Sequence, residues 1–266
     1  MKGVVKGLIA GGIIIGIGIA VLLIGLALND WKFKGTVKFE MRTFTAQEEN
    51  SALNIKVRTG SVKTEFYDGD RIVIEYPVAK NFDTTVREKD GKVSFDGLHR
   101  KWYIGFWLSY DVPDTIIKLP HGIAYDMYFD VDAGTATLAD CIDGETYGNV
   151  TVDIDAGSFK SGSVVCNVLK CDIDAGSVKI TSAVCNTFNC KIDAGSANIE
   201  KLNCNDALIN IDAGNVKAGF TGAKEEYTIS AKVDAGSCNV NSQSGNTDKK
   251  INIDVDAGKI ELSFGV

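Results

Sequence analysis

The chain has 266 residues, 45% of them hydrophobic, with 28 glycines and only three prolines, enough for one large domain or two small ones. Its net charge of -7 and pI near 5.0 argue against nucleic acid as a partner.

Residues 7–28 are 22 consecutive uncharged, mostly apolar positions. As a helix such a run spans a hydrocarbon core of about 30 Å. Lys2 and Lys6 precede it. It exceeds the roughly 7–15-residue core of a cleaved signal, so a single-pass signal-anchor is expected, with cleavage after Ala27 as the alternative. No cysteine follows the run directly, which disfavours a lipoprotein anchor. Lys32, Lys34 and Lys38 blur the flanking-charge rule. The short basic start favours a cytoplasmic tip, with the remainder outside the cell membrane. Gly12 and Gly16 form a small-xxx-small pattern that suits helix packing, although glycine is also simply common in membrane helices. The expected division is 1–29 tip and transmembrane helix, 30–50 extended linker with one strand, 51–125 first coil and β-rich cap, and 126–266 repeats.

Leu53, Ile55 and Val57 alternate ahead of Gly60, and Val62 follows: a first, diverged coil. The next stretch, to about residue 120, holds five strand-like segments, with an Asp90-Gly91 hairpin turn between two of them. A solenoid needs a cap over its open core, and this stretch is the candidate. Within it Trp102, Tyr103, Phe106, Trp107 and Tyr110 crowd one short segment. They read as a recognition surface or membrane-interface contact, or more plainly as the cap's own core.

Asp-Ala-Gly then begins at Asp132, Asp155, Asp174, Asp193, Asp212, Asp234 and Asp256, in steps of 23, 19, 19, 19, 22 and 22 residues. A period near 20 residues marks a stacked-repeat architecture. Before each glycine, alternate positions are apolar, as in Phe188, Cys190 and Ile192, while Asp, Lys, Asn, Thr and Ser fill the places between. After it the apolar phase resets, as in Val178 and Ile180, and the 19-residue copies add a third pair, as in Ala183 and Cys185. Three inward segments predict a triangular coil, with glycine at a corner where a Cβ would clash or φ must be positive. The fold expected is all-β: a parallel β-helix of roughly 19–22-residue coils with an N-terminal β cap, preceded by one transmembrane helix. The extra residues Gly219–Glu226 and Asn241–Lys250 should emerge at one edge as adjustable loops. The C-terminal strand ending at Phe264 should leave an open end shielded by a partner, by dimerisation or by that ring.

The repeat aspartates should form a column about 4.8 Å apart, where two carboxylates repel by roughly 0.9 kcal/mol in water. The plain reading is that each accepts hydrogen bonds from the turn amides beyond it. The alternative is a Ca²⁺ column, but the known Ca²⁺ solenoid repeat is a nine-residue Gly-rich form, so no metal and no cofactor are expected. Cys166, Cys185 and Cys204 share one repeat position, Cys171 and Cys190 another, and Cys141 and Cys238 stand apart. With only His99 and His121 as histidines and an odd cysteine count, these read as buried ladder fillers rather than zinc ligands or disulfides. No phosphate-binding loop, nucleophile elbow or serine triad spacing is present, and no catalysis is expected.

Leu53-Asn-Ile-Lys-Val-Arg-Thr-Gly-Ser-Val, the insertion ending Ile116-Ile-Lys-Leu-Pro-His-Gly122 and the Asp-Ala-Gly-Ser coils together resemble the bacterial putative-adhesin family of unknown function, across residues 50–266. The resemblance implies a membrane-anchored or exported β-solenoid, related to auto-transporter adhesin heads, with no catalytic residues to carry over. The expected role is a structural or adhesive surface module binding a protein or surface glycan, with homo-oligomers open. The alternatives are an accessory of an envelope-stress system binding a membrane partner and a carbohydrate-active β-helix enzyme.

Overall fold

The computed structural model describes residues 37–80, 82–100 and 111–266. Every strand lies in one compact unit, Phe39–Lys101 with Val112–Val266. Among the described residues no helix is long and apolar enough to cross a membrane, and the expected span at 7–28 lies outside them.

The N-terminal part supplies β1 (Glu40–Thr45), β2 (Ala52–Val57), β3 (Ser61–Tyr67), β4 (Val73–Val78), β5 (Phe82–Lys89), β6 (Lys92–Arg100) and β7 (Thr115–Pro120). The repeats follow as strand pairs. They are β8 (Tyr125–Val131) and β9 (Thr135–Thr137), β10 (Tyr147–Ile154) and β11 (Ser158–Val165), β12 (Val168–Ile173) and β13 (Ser177–Val184), and β14 (Thr187–Ile192) and β15 (Ser196–Asn203). The last three are β16 (Asp206–Ile211) and β17 (Asn215–Phe220), β18 (Tyr227–Val233) and β19 (Ser237–Cys238), and β20 (Lys249–Val255) and β21 (Lys259–Phe264).

Strands that precede the glycine corners form one ten-stranded sheet, in the order β18-β20-β16-β14-β12-β10-β8-β2-β6-β5. Strands that follow the corners form an eleven-stranded sheet, β1-β4-β7-β3-β9-β11-β13-β15-β17-β21-β19. Each coil thus has two strands where three segments were expected. In β11, β13 and β15 the second and third apolar segments are one eight-residue strand. Thr181 and Ser182, placed between buried Ile180 and Ala183, reset the alternation without ending the strand. The inward side chains make a continuous core: Phe188 and Ile192 have no exposed surface, and Phe129 meets Phe159 edge-on at 5.2 Å.

At the corners the ladder does not break. Asp174 N donates to Ile154 O at 2.8 Å, Ala175 N to Asp155 O at 2.8 Å and Ser177 N to Gly157 O at 3.1 Å, and the same bonds recur coil by coil. The turn amides therefore serve the neighbouring coil, not the aspartate side chains as expected. Glycine is required by closeness: a Cβ on Gly195 would lie 2.5 Å from both Gly176 O and Ile173 Cγ2. Only the diverged first corner needs the left-handed backbone, with Gly60 at φ +81.

Stacking order departs from sequence order at both ends. Beyond the first coil (β2, β3), the chain adds a parallel layer, β6 against β2 and β7 against β3, before returning to place β8 and β9 on the first coil's other side. Antiparallel β5, β4 and β1 finish that end, with Asp90 and Gly91 at positive φ in the β5–β6 turn. β1 lies within the segment read as a linker with one strand, and it joins the sheet at its edge.

At the other end the last coil, β20 and β21, slots between β16/β17 and β18/β19. The C-terminal strand, expected to be shielded by a partner, by dimerisation or by Phe264, is covered together with β20 by β18 and β19. Asn239 spans the Leu262 backbone, donating to its oxygen at 2.7 Å and accepting from its nitrogen at 2.8 Å. Gln243 bridges β18 at Ile229, and its side chain donates to Lys224 O and Tyr227 O at 2.8 and 3.2 Å. Both loops expected at one edge do meet, and they close the end. Phe264 is half-buried, stacked on Phe220 at 5.6 Å.

Candidate functional site

Because side chains alternate, the residues between core positions of the ten-stranded sheet share its outer face. Register places Asp96, Lys56, Asp130, Asp153, Asp172 and Lys191 side by side on successive strands, β6, β2, β8, β10, β12 and β14. A parallel column at the corners holds the repeat aspartates in the order Asp132, Asp155, Asp174, Asp193, Asp212, Asp256 and Asp234. The second column is marked in the sequence by its motif, whereas the first carries no constant residue: three aspartates stand between two lysines.

Cations neutralise both ends of this double column. Lys56 Nζ lies 2.5 Å from Asp130 and 3.1 Å from Asp132. Arg58 makes a two-pronged bond to Asp96, at 2.7 and 3.0 Å, and reaches Asp132 at 3.5 Å. Burial opposes the charge on Lys56, but the bonds to Asp130 and Asp132 outweigh it and raise its pKa. Lys191 meets Asp193 at 2.7 Å, and Lys232 meets Asp254 at 3.2 Å and Asp234 at 3.5 Å. Between these ends, burial first and then the Asp172 charge push the Asp153 carboxyl above its ordinary value. Among the described residues no group of three or more His, Cys, Asp or Glu side chains is arranged to hold a metal ion.

Next to the cationic end, the same face is hollowed twice. A groove of about 310 Å³ is lined by Asn54, Lys56, Thr85, Arg87, Asp96 and Tyr128, among others. A second, of about 450 Å³, is lined by Asn54, Lys92, Asp126, Tyr128, Asn149 and Thr151, among others. Tyr128 and Asn54 belong to both. Tyr128 is 37% exposed, and its hydroxyl reaches Asp153 at 3.4 Å. Burial, then Asp153 and Asp130, raise its pKa, so the phenol stays a donor. Aligning the repeats would have exposed it. Its equivalents are Asn54, Thr151, Lys170, Asn189, Leu208, Asn252 and Ser230, none aromatic.

On the eleven-stranded sheet, three-residue β9 stops short and leaves a groove of about 540 Å³ bordered by Phe66, His121, Leu138 and Ile142. His121 stacks on Phe66 and pairs with Glu145 at 2.5 Å. The seven cysteines are all free thiols. Cys171 and Cys190 lie in register, and burial pushes the Cys171 thiol up to about 12, which makes it inert rather than reactive. Gly12, Gly16 and the aromatic set Trp102, Tyr103, Phe106, Trp107 and Tyr110 lie outside the described residues.

Among solved structures, the chain is similar to a putative adhesin from Parabacteroides merdae, at 13% identity and a TM-score of 0.46, covering 87% of this chain and 95% of that one. It is also similar to a putative cell adhesion protein from Clostridium sporogenes, at 15% identity and a TM-score of 0.33, covering 86% and 100%. A third, a putative lipid binding protein from Parabacteroides distasonis, has 11% identity and a TM-score of 0.44, with coverage of 88% and 97%. No curated protein matches the chain. The family comparison is decisive: the Toastrack model, DUF4097, matches residues 50–264, from the first coil to the last strand, and the chain belongs to that family.

Proposed function

We propose that this chain is a membrane-anchored surface module that binds a partner through the outer face of its ten-stranded sheet and performs no catalysis. The observation that carries this reading is the closure of the C-terminal end of the stack by the chain's own side chains and loops, with antiparallel strands in place of a further coil at the other end. An end closed in this way does not extend by strand addition, which leaves the lateral faces as the surfaces for recognition. The apolar run at 7–28 behind a short basic tip supports anchoring, with the solenoid outside the cytoplasm.

The test uses the full chain in intact cells with an epitope tag after Val266. Protease added outside should remove the tag, and the Tyr128→Ala chain should be displayed equally but adhere less to envelope material of its own cells. A tag protected until the cells are lysed would overturn the surface placement. Equal adhesion by the Tyr128→Ala and Arg87→Ala chains would overturn the choice of face.

A further inference from the structure

The two grooves share Tyr128 and Asn54 in their linings and are taken together as one trough, whose chemistry selects among ligands. Its charges balance: Lys56 and Arg87 face Asp96 and Asp130 in the smaller part, and Lys92 faces Asp126 in the larger. Most of these charges are already engaged, Lys56 with Asp130 and Asp96 with Arg58. The carboxylate of Asp126 accepts from the Asn149 backbone at 2.8 Å and from its side chain at 2.9 Å. An anionic ligand would also meet the field of the aspartate columns beginning at Asp153, one strand away. What the trough offers instead is a partly exposed phenol ring, amides at Asn54 and Asn149, and hydroxyls at Thr85 and Thr151. Planar polar groups beside an aromatic face match the two surfaces of a pyranose, whose C–H face is apolar and whose rim is hydroxyl.

We propose that this trough binds a neutral oligosaccharide, with sugar rings seated on both sides of Tyr128. This rests on the outer face being the binding surface and adds the ligand class. The smaller groove lies at the low end of the range for small-molecule sites, as fits one ring, and the larger accommodates the next. Tyr128 supplies the platform. Asn54, shared by both parts, bonds hydroxyls on either ring, and Arg87 donates from the rim.

The experiment takes the full chain in a sugar-free zwitterionic detergent. It records saturation-transfer NMR and calorimetry against neutral pentasaccharides of glucose (β1,4 and α1,4 linked), mannose and N-acetylglucosamine, with a pentagalacturonate alongside. At least one neutral pentasaccharide should bind, and pentagalacturonate should not. Tyr128→Ala should weaken binding by at least about tenfold, the scale of a lost aromatic anchor, while Tyr128→Phe stays within about threefold of the parent. Unchanged melting of these variants shows that the loss is not unfolding. No binding by any neutral sugar, preference for the galacturonate, or indifference to Tyr128→Ala would each overturn the proposal. If neutral sugars fail while Tyr128→Ala still abolishes adhesion to cell envelopes, the ligand class falls and the binding face stands.

Discussion

The regular middle of the stack and its two ends satisfy their backbones differently. In the middle, amides at strands and corners find carbonyls one coil away, and the side chains add repeating ladders such as Asn167–Asn186 at 2.8 Å. At the ends no neighbouring coil exists, and unique side chains take over. Glu88 accepts from Gln47 N, Glu48 N and Asn50 Nδ2 at 2.8, 2.9 and 2.6 Å at one end, and Asn239 brackets Leu262 at the other. A repeat stabilises itself by sameness, so individuality is confined to places where sameness fails. The trough at Tyr128 runs from the cap strands β5 and β6 into the first coils, so individuality enters one coil beyond the end.

That contrast can be broken most severely from the middle. Phe188 is fully buried with coils on both sides, so Phe188→Ala should cost about 3–5 kcal/mol and lower the thermal midpoint sharply. Gly195→Ala follows, at about 1–3 kcal/mol or more. Its new methyl meets a backbone oxygen and a packed isoleucine, neither of which can move without shifting a coil. Denaturant melts measure both, and a cost under about 0.5 kcal/mol at either site would mean the coils slide more freely than the ladder implies. At the C-terminal end, Asn239→Ala should cost about 1–2 kcal/mol by leaving the Leu262 backbone unpaired. Hydrogen exchange should then speed up in β21 and β18 while β12 and β14 stay protected.

The middle was legible in sequence, and so were the strands of the cap, but the stacking order at the ends was not. Period-two alternation and the Asp-Ala-Gly step predicted coil, core and corner, because each residue faces the same neighbours in every copy. The corner chemistry was misassigned, because a single repeat does not show that its amides are used by the next coil. The swap of the last two coils was invisible: both carry the same motif, and only the contacts of Asn239 and Gln243 distinguish the outer one. The aspartate column was legible, and Tyr128 stands out once the repeats are aligned, but its meeting with Lys56 of β2, Arg58 just beyond β2 and Arg87 of β5 was not, since those strands adjoin only through sheet order. The Asp90-Gly91 turn was local and was read correctly.

The smallest effect sharpens the comparison through pH. Glu88 at the cap and Asp153 in the middle are both carboxylates, shifted oppositely. The amides of Gln47 first, then Asn50 and Glu48, hold Glu88 below its ordinary value. Its contribution is therefore present above the ordinary value of 4.5 and is lost as pH falls through the lower folded value. Burial and Asp172 hold Asp153 above its ordinary value of 3.8, so its charged form opposes folding. Protonation relieves that opposition below the ordinary value, and the relief is lost as pH rises through the higher folded value. At neutral pH, Glu88→Gln should thus destabilise by about 1 kcal/mol, by weakening bonds to a charged acceptor. Asp153→Asn should stabilise by a few tenths of a kcal/mol, the scale of partly exposed charge pairs. In urea melts from pH 7 to pH 3.5, both differences should shrink toward zero from opposite sides. If Asp153→Asn destabilises at pH 7, the columns are held by attraction to something other than their own lysines, and the trough beside them would need a cation in its account.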